Sequence, residues 1–192
     1  GILEVRPSSG YYLKTKTDLE GLLVSKDEQE EKTWITDQLE AFYMFEPQAV
    51  MIAATRMNGD EVKVLEECLV KLSKSILENN AREIVSNHKT FHKIIANGTG
   101  NKAIIQMMQR LEFTYELIAD IMQKLSQDER QRIFALHVKL FNSISSKDRE
   151  KSFSDSRDMI LSTSELLNRF KGIKLPESIQ KALEKKMNEN IY

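Results

Sequence analysis

The chain has 192 residues, enough for one well-buried domain and a short appendage. Its 28 basic and 29 acidic residues leave a formal net charge of −1, so no overall field attracts nucleic-acid phosphates. The single Cys68 excludes an internal disulfide, the N-terminus lacks the pattern of a signal peptide, and no apolar run approaches the length of a membrane span. We therefore expect a cytoplasmic protein without a membrane segment.

The first fourteen residues differ in composition from the rest of the chain. Residues 2–6 are rich in strand formers, residues 7–10 are turn formers, and residues 11–13 resume an aromatic, extended pattern. This pattern predicts a short β-hairpin over residues 1–14. Residues 15–29 are polar and charged, and we expect a linker there.

From residue 30 onward, apolar residues recur at helical spacing. A first helix is expected to end at residue 45, because Pro47 disfavours helix at Glu46. A short buried helix is expected over residues 49–54, and Asp60 is expected to cap the next one.

The second half of the chain continues the helical pattern. It predicts one long helix from about residue 102 to 125, two helices capped by Ser126 and Asp148, and an amphipathic C-terminal helix beginning near Pro176. The fold class is therefore all-α: an antiparallel bundle of about six to seven helices over residues 30–170, preceded by the hairpin. Residues 171–192 are expected to form a C-terminal extension.

Several motifs occur in a fixed order along the chain. They are the sequences of residues 1–13, 45–54 (FEPQAVMIAA), 88–92 (HKTFH) and 100–101 (GN), and His137 followed by Asp148. In this order they resemble the wing of a winged helix, the L-E-P-x-A-A-x-L-A-A signature, D-x-x-F-H, G-N-P and H-x-A-I-x-x-A-I-x-x-x-D. The chain thus resembles a GntR-family transcriptional regulator of the FadR subfamily, with an FCD-type C-terminal ligand-binding domain.

The resemblance implies a non-enzymatic, effector-binding and dimerisation domain of a bacterial regulator. A small molecule, such as an organic or fatty acid, would bind in the helical bundle and modulate DNA binding by a homodimer. Operator DNA would be bound by a winged helix of which this chain holds only the wing. Arg6, Ser9 and Gly10 are the expected DNA-contacting residues of that wing.

The chain has three histidines, and the resemblance places His88, His92 and His137 at metal-ligand positions. The spacing agrees in part, because residues four apart lie within about 40° on one helix face. His137 would come from another helix, and three imidazoles with an open fourth position suit zinc or nickel. Lys89 stands where the H-E-x-x-H motif of metalloproteases requires glutamate.

Two family ligand positions carry different residues here. The first, an aspartate in the family, is His88, and the last histidine of the family falls on Met159. Three alternatives follow: a site of histidines only, a replacement ligand among Asp155, Asp158 and Met159, or no metal at all.

The expected effector pocket is more apolar than the pocket that the family pattern implies. Phe42 stands where the family commonly has an arginine, and Met107, Met108, Phe113 and Met159 are further candidate lining residues. A methionine-rich core without a pocket is the alternative. Two other functions also remain open, a metal-dependent hydrolase that uses the three histidines and a helical interaction scaffold with a solid core.

Overall fold

The computed structural model describes residues 3–6, 10–13, 28–111 and 114–189. Strands β1 (Leu3–Arg6) and β2 (Gly10–Leu13) pair antiparallel, with Leu3 opposite Leu13 and Arg6 opposite Gly10. This sheet lies where the sequence predicts a hairpin. Ser9 and most of the expected linker, residues 15–27, lie outside the described residues.

The rest of the described chain is helical, as predicted. Its eight helices, against the expected six to seven, are α1 (Glu28–Arg56), α2 (Gly59–Leu77), α3 (Ala81–Gly98), α4 (Lys102–Arg110), α5 (Thr114–Lys124), α6 (Gln127–Ser145), α7 (Arg149–Lys171) and α8 (Glu177–Glu189). Helix α1 packs along α7, α2 packs against α3, and α6 packs against α7. None of the described helices is long and apolar enough to cross a membrane.

The expectation that Pro47 ends a helix is wrong, because α1 runs through it without interruption. Proline in a helix interior lacks the N–H that would bond the carbonyl of Tyr43 and normally interrupts the helix. Here Phe42, Tyr43, Pro47 and Val50 are all buried around that point. Tertiary packing of this face stabilises the helix more than proline disfavours it.

Two helix boundaries also differ from the prediction. Asn58, and not Asp60, caps α2: its side chain accepts from the N–H of Glu61, whose carboxylate accepts from the N–H of Asn58. The predicted long helix over residues 102–125 is divided into α4, which ends at Arg110, and α5. Ser126 and Asp148 cap α6 and α7 as predicted.

The C-terminal helix α8 packs on the bundle of its own chain. Ile179 is fully buried and belongs to the larger apolar cluster of the core. The Ser178 hydroxyl donates to the Glu40 carboxylate at 2.8 Å, and the Thr36 hydroxyl donates to the Lys174 carbonyl at the same distance. These contacts join α8 and the segment before it to α1.

Candidate metal centre

The three histidines converge in the interior of the bundle. His88 and His92 lie one turn apart on α3, His137 lies on α6, and all three are buried. The ring centroid of His88 is 4.7 Å from that of His92 and 4.9 Å from that of His137. One potential ligand nitrogen from each ring lies within 4.8 Å of the other two. The sequence-predicted cluster is therefore present in the fold.

Two of the rings are oriented by hydrogen-bond acceptors that lie close to their Nδ1 atoms. His92 Nδ1 lies 2.5 Å from a carboxylate oxygen of Glu46 on α1, and His137 Nδ1 lies 2.9 Å from the Ile133 carbonyl. An Nδ1–H that donates to a carboxylate or carbonyl leaves Nε2 as the coordinating atom, the usual arrangement around a metal-bound histidine. The Nε2 atom of His137 is buried and makes no hydrogen bond within the protein.

The surroundings of His88 and His137 favour neutral imidazoles. Burial, and then the nearby His92 and His137 rings, hold the pKa of His88 well below its usual value of 6.5. Burial and the nearby His92 ring lower the pKa of His137 to about 3, against a smaller opposite effect of the Ile133 carbonyl. A neutral imidazole is the form that binds a metal, because the ligand nitrogen must carry a free electron pair.

The chemistry and geometry of the cluster fit a divalent metal ion. Nitrogens around one tetrahedral zinc at about 2.0 to 2.1 Å lie about 3.3 Å from one another. The three nitrogens lie within 4.8 Å of one another, so bringing them to that separation takes movements of about an ångström or less, a range that side-chain rotations cover. The buried Nε2 of His137 would gain the partner that the protein does not supply.

The proposed replacement ligands behave differently from one another. Met159 is buried and lines the same space as His88 and His92. Asp158 accepts a hydrogen bond from Lys186 of α8 at 2.8 Å, so its carboxylate is directed to the bundle surface. Asp155 is half-buried, with one carboxylate oxygen that makes no hydrogen bond, and it does not belong to the three-histidine cluster.

A narrow apolar cavity adjoins the histidines in two lobes. The larger lobe, about 20 Å³, is bordered by His88 and His137 and by aliphatic residues of α2, α3, α5, α6 and α7. The smaller lobe, about 10 Å³, lies between His88, His92, Glu46 and Met159. Ile118 and Thr163 border both lobes. Each lobe has room for about one water molecule.

The structure brings only part of the expected effector pocket together. Phe42 and Met159 border the smaller lobe. Met107 is 47% exposed, so the structure does not place it in a pocket with the histidines. Met108 is buried near His92, in a separate depression formed by α3 and α4. Phe113 lies outside the described residues.

Glu46 and Thr163 are site residues that the sequence reading did not identify. Glu46 is 2% exposed and stands on the buried face of α1 between Phe42 and Ala49. A carboxylate within a stripe of apolar residues at helical spacing is a signal that the sequence did contain, since a buried charge requires a partner. Thr163 carries no comparable signal, because threonine is common on helix surfaces.

Comparisons with known proteins agree with this fold. Residues 37–154 match the family model of the FCD domain, and no curated protein matches the chain in sequence. A solved structure of GntR from Streptococcus agalactiae is similar, with a TM-score of 0.63 and 20% identity over 85% of this chain and 74% of that one.

Two further solved structures share the fold. McbR/YncC of E. coli matches with a TM-score of 0.61 and 15% identity over 88% of this chain and 73% of that one. Lar of Listeria monocytogenes, which controls the expression of the agr system, matches with a TM-score of 0.61 and 12% identity over 88% of this chain and 74% of that one.

An all-α bundle that encloses three histidines and an apolar cavity has the architecture of a ligand-binding domain. Because the family model covers more than half of the chain, the chain belongs to the FCD domain family, which comprises the sensing domains of GntR-type regulators. The motif-based family prediction is confirmed. So is the prediction of a non-enzymatic chain, because an FCD domain is a regulator's domain.

Proposed function

We propose that this chain is the effector-binding and dimerisation domain of a bacterial GntR/FadR-type transcriptional regulator. Its effector is a small organic or fatty acid that binds beside His88 with the help of a metal ion. The observation that carries the proposal is the position of His88, which borders both apolar lobes and belongs to the three-histidine cluster.

Zinc or nickel would be held by His88, His92 and His137, and the bound ion would supply a position for the effector's carboxylate. Glu46 and the Ile133 carbonyl engage Nδ1 of two of the rings, which leaves Nε2 of those rings available to an ion. Met159 stands where the family has its last histidine, and a thioether is a poor zinc ligand. An ion held by the three histidines would therefore keep a coordination position for the effector, and Met159 borders the adjoining lobe.

The walls of the cavity favour an apolar effector body. The larger lobe is bordered mainly by aliphatic and aromatic side chains, which come from five helices. These side chains include Leu72, Ile84, Ile121 and Phe134. Phe42 offers no charge where related domains commonly offer arginine. A bound metal would supply the charge that recognises the acid, and the apolar lobe would accommodate the rest of the molecule by the hydrophobic effect.

The small size of the cavity suggests how binding would be transmitted. An acid of more than a few atoms exceeds a lobe of about 20 Å³, so side chains of α3, α5 and α6 must move to admit it. A coupling of about 1 to 3 kcal/mol between such a rearrangement and DNA binding changes operator affinity several- to a hundred-fold.

The remaining parts of the chain fit the same function. Residues 1–14 would be the wing of a winged helix, with Arg6, Ser9 and Gly10 close to DNA, residues 15–29 a linker, and residues 30–170 the sensing domain. Residues 171–192 would be an extension that supports the bundle. The regulator would act in the cytoplasm as a homodimer, since two-fold operators match two-fold proteins.

Calorimetric titration of the metal-free protein tests the site. Zinc should bind at one site per chain, and hexanoate should then bind more tightly than acetate, by several-fold for each pair of added methylenes that the lobe accommodates. Without zinc, neither acid should bind measurably. Tight hexanoate binding to the metal-free protein would contradict the metal-assisted mode.

His137→Ala is the matched variant for this titration, and Cys68→Ala is its control. His137→Ala should lose zinc binding and hexanoate binding together, because one of three ligands is gone. Cys68 on α2 is another buried side chain that could bind zinc, but it lies outside the histidine cluster, and its thiol donates to the Asn87 carbonyl. Its removal should leave both affinities unchanged.

A further inference from the structure

Two buried methionines flank the three-histidine cluster, one in each lobe of the cavity. Met159 of α7 is 4% exposed and borders the smaller lobe with His88 and His92. Met122 of α5 is 3% exposed and borders the larger lobe with His88 and His137. The interior around the imidazole nitrogens therefore also offers thioether sulfur, which is a soft and polarisable donor.

The smaller lobe brings the Met159 side chain close to the histidines. Thr163 lies one turn after Met159 on α7 and both border this lobe, so one face of the helix forms its wall. A lobe of about 10 Å³ has room for about one water molecule, so side chains on its opposite walls lie only a few ångströms apart. Methionine is unbranched and has three rotatable bonds, so its sulfur can turn toward a neighbouring ion without movement of the helix.

The donors and the charge at this lobe suit a soft, monovalent ion. Imidazole nitrogen and thioether sulfur both bind cuprous copper, Cu(I), whereas carboxylate and carbonyl oxygens suit harder ions. The Glu46 carboxylate borders the lobe and lies 2.5 Å from His92 Nδ1. Its negative charge balances one positive charge, so Cu(I) leaves the apolar interior neutral, whereas a divalent ion leaves one positive charge that is costly to bury.

We propose that the centre also binds Cu(I), with the three histidines as nitrogen ligands and the Met159 thioether as the fourth ligand. The inference rests on the three-histidine site of the proposed function and adds a second ion to it. Zinc would keep a position for the acid, whose carboxylate also supplies the second negative charge. With Cu(I), Met159 fills that position and no charge remains for a carboxylate to balance. Copper would thus act as an antagonist of the acid.

Competition with the Cu(I) chelator bicinchoninate, without oxygen and with ascorbate present, tests the role of Met159. Met159→Leu retains the apolar volume and removes the sulfur, so Cu(I) affinity should fall at least about tenfold. Met122→Leu is the matched control, because it makes the same change at the methionine of the other lobe. It should change Cu(I) affinity less than about twofold. Zinc affinity should change less than about twofold in both variants, because a thioether is a poor zinc ligand.

Cys68→Ala is the control for copper bound elsewhere, because the Cys68 thiol is buried outside the histidine cluster. This variant should bind Cu(I) as tightly as the wild type. X-ray absorption at the copper edge should show nitrogen and sulfur neighbours in the wild type and in Cys68→Ala, and nitrogen neighbours alone in Met159→Leu. By calorimetry, hexanoate should bind the zinc-loaded protein and not the copper-loaded one.

Several results would overturn the proposal. They are equal Cu(I) affinities of the wild type and Met159→Leu, a copper spectrum without sulfur, a larger loss in Met122→Leu than in Met159→Leu, loss of the copper in Cys68→Ala, and hexanoate binding to the copper-loaded protein. If zinc and hexanoate still bind as expected, any of these results contradicts this inference and leaves the proposed function standing. Copper that depends on Met159 in a protein that binds no zinc would contradict the proposed function alone.

Discussion

The histidine centre and the surface groove between α2 and α6, which Val70, Leu77 and Phe134 border, depart from the usual distribution of residues in opposite ways. At the centre, three imidazoles and the Glu46 carboxylate are buried within an apolar core. In the groove, Val70 and Leu77 are exposed among charged residues. Burying polar groups and exposing large apolar ones both reduce stability, so each region is expected to serve a function other than stability.

The two regions also differ in whether their side chains already have partners within the chain. In the centre, His92 has Glu46 and His137 has the Ile133 carbonyl, so the orienting partners are already in place. In the groove, Lys74 pairs with Glu78 of the same helix, but Val70 and Leu77 stay largely exposed. A preorganised internal site is suited to a small ligand, whereas exposed apolar side chains gain stability when they are covered.

The largest expected effect of a single conservative change concerns Glu46, a residue that orients His92. Glu46→Gln retains the size of the side chain and removes its charge, so zinc affinity should fall about ten- to a hundredfold. Competition with a chromogenic chelator measures it. Glu40→Gln is the control, because Glu40 lies on the same helix and bonds Ser178. Equal zinc affinities of both variants would show that Glu46 does not orient His92 for metal binding.

The centre should make the stability of the metal-free protein depend on pH. His137 has a pKa of about 3 in the folded protein and about 6.5 in the unfolded chain, so below pH 6.5 the unfolded chain binds the proton more strongly. The unfolding free energy should therefore fall as the pH is lowered, by about 2 kcal/mol between pH 7 and pH 5 from this group alone. Burial of His88 acts in the same direction.

Urea denaturation in the presence of a chelator, at several pH values, measures this dependence. His137→Gln removes one titrating group and should reduce the fall in unfolding free energy between pH 7 and pH 5, whatever its effect on stability at pH 7; the part that remains includes the contribution of His88. Val70→Glu, in the groove, should leave the contribution of the histidines unchanged. A wild-type unfolding free energy that is constant over this range would be inconsistent with buried neutral histidines.

The smallest expected effect concerns Asp158, which the sequence offered as a replacement ligand. Its carboxylate pairs with Lys186 on the bundle surface, so Asp158→Ala should change zinc affinity less than twofold. The loss of this partly exposed ion pair should lower the unfolding free energy by about 1 kcal/mol or less. A tenfold loss of zinc affinity would instead place Asp158 among the ligands.

Much of the centre was predictable from local spacing. His88 and His92 share a helix face because they are four residues apart, and the motifs indicated His137 as their partner. Glu46 was missed because its contact with His92 joins residues 46 apart in the chain, and helical spacing describes only neighbours. The size of the cavity depends on how five helices pack, which no local pattern contains.

The fold was predictable where local preferences and packing agree. Ser126 and Asp148 cap helices because their side chains accept from backbone N–H groups of the first turn, an effect of adjacent residues. The prediction that Pro47 ends a helix was wrong because the local effect of proline is outweighed by burial of the surrounding face of α1. The prediction for Met107 was wrong because successive residues of a helix point about 100° apart, and α4 places Met107 outside and Met108 inside.

A crystal structure of the zinc-loaded protein, with anomalous data at the zinc edge, tests the central claim most directly. The account predicts one anomalous peak per chain inside the bundle, about 2.0 to 2.1 Å from a nitrogen of each of His88, His92 and His137. A peak coordinated elsewhere, or a zinc-soaked crystal in which these three rings coordinate nothing, would contradict it.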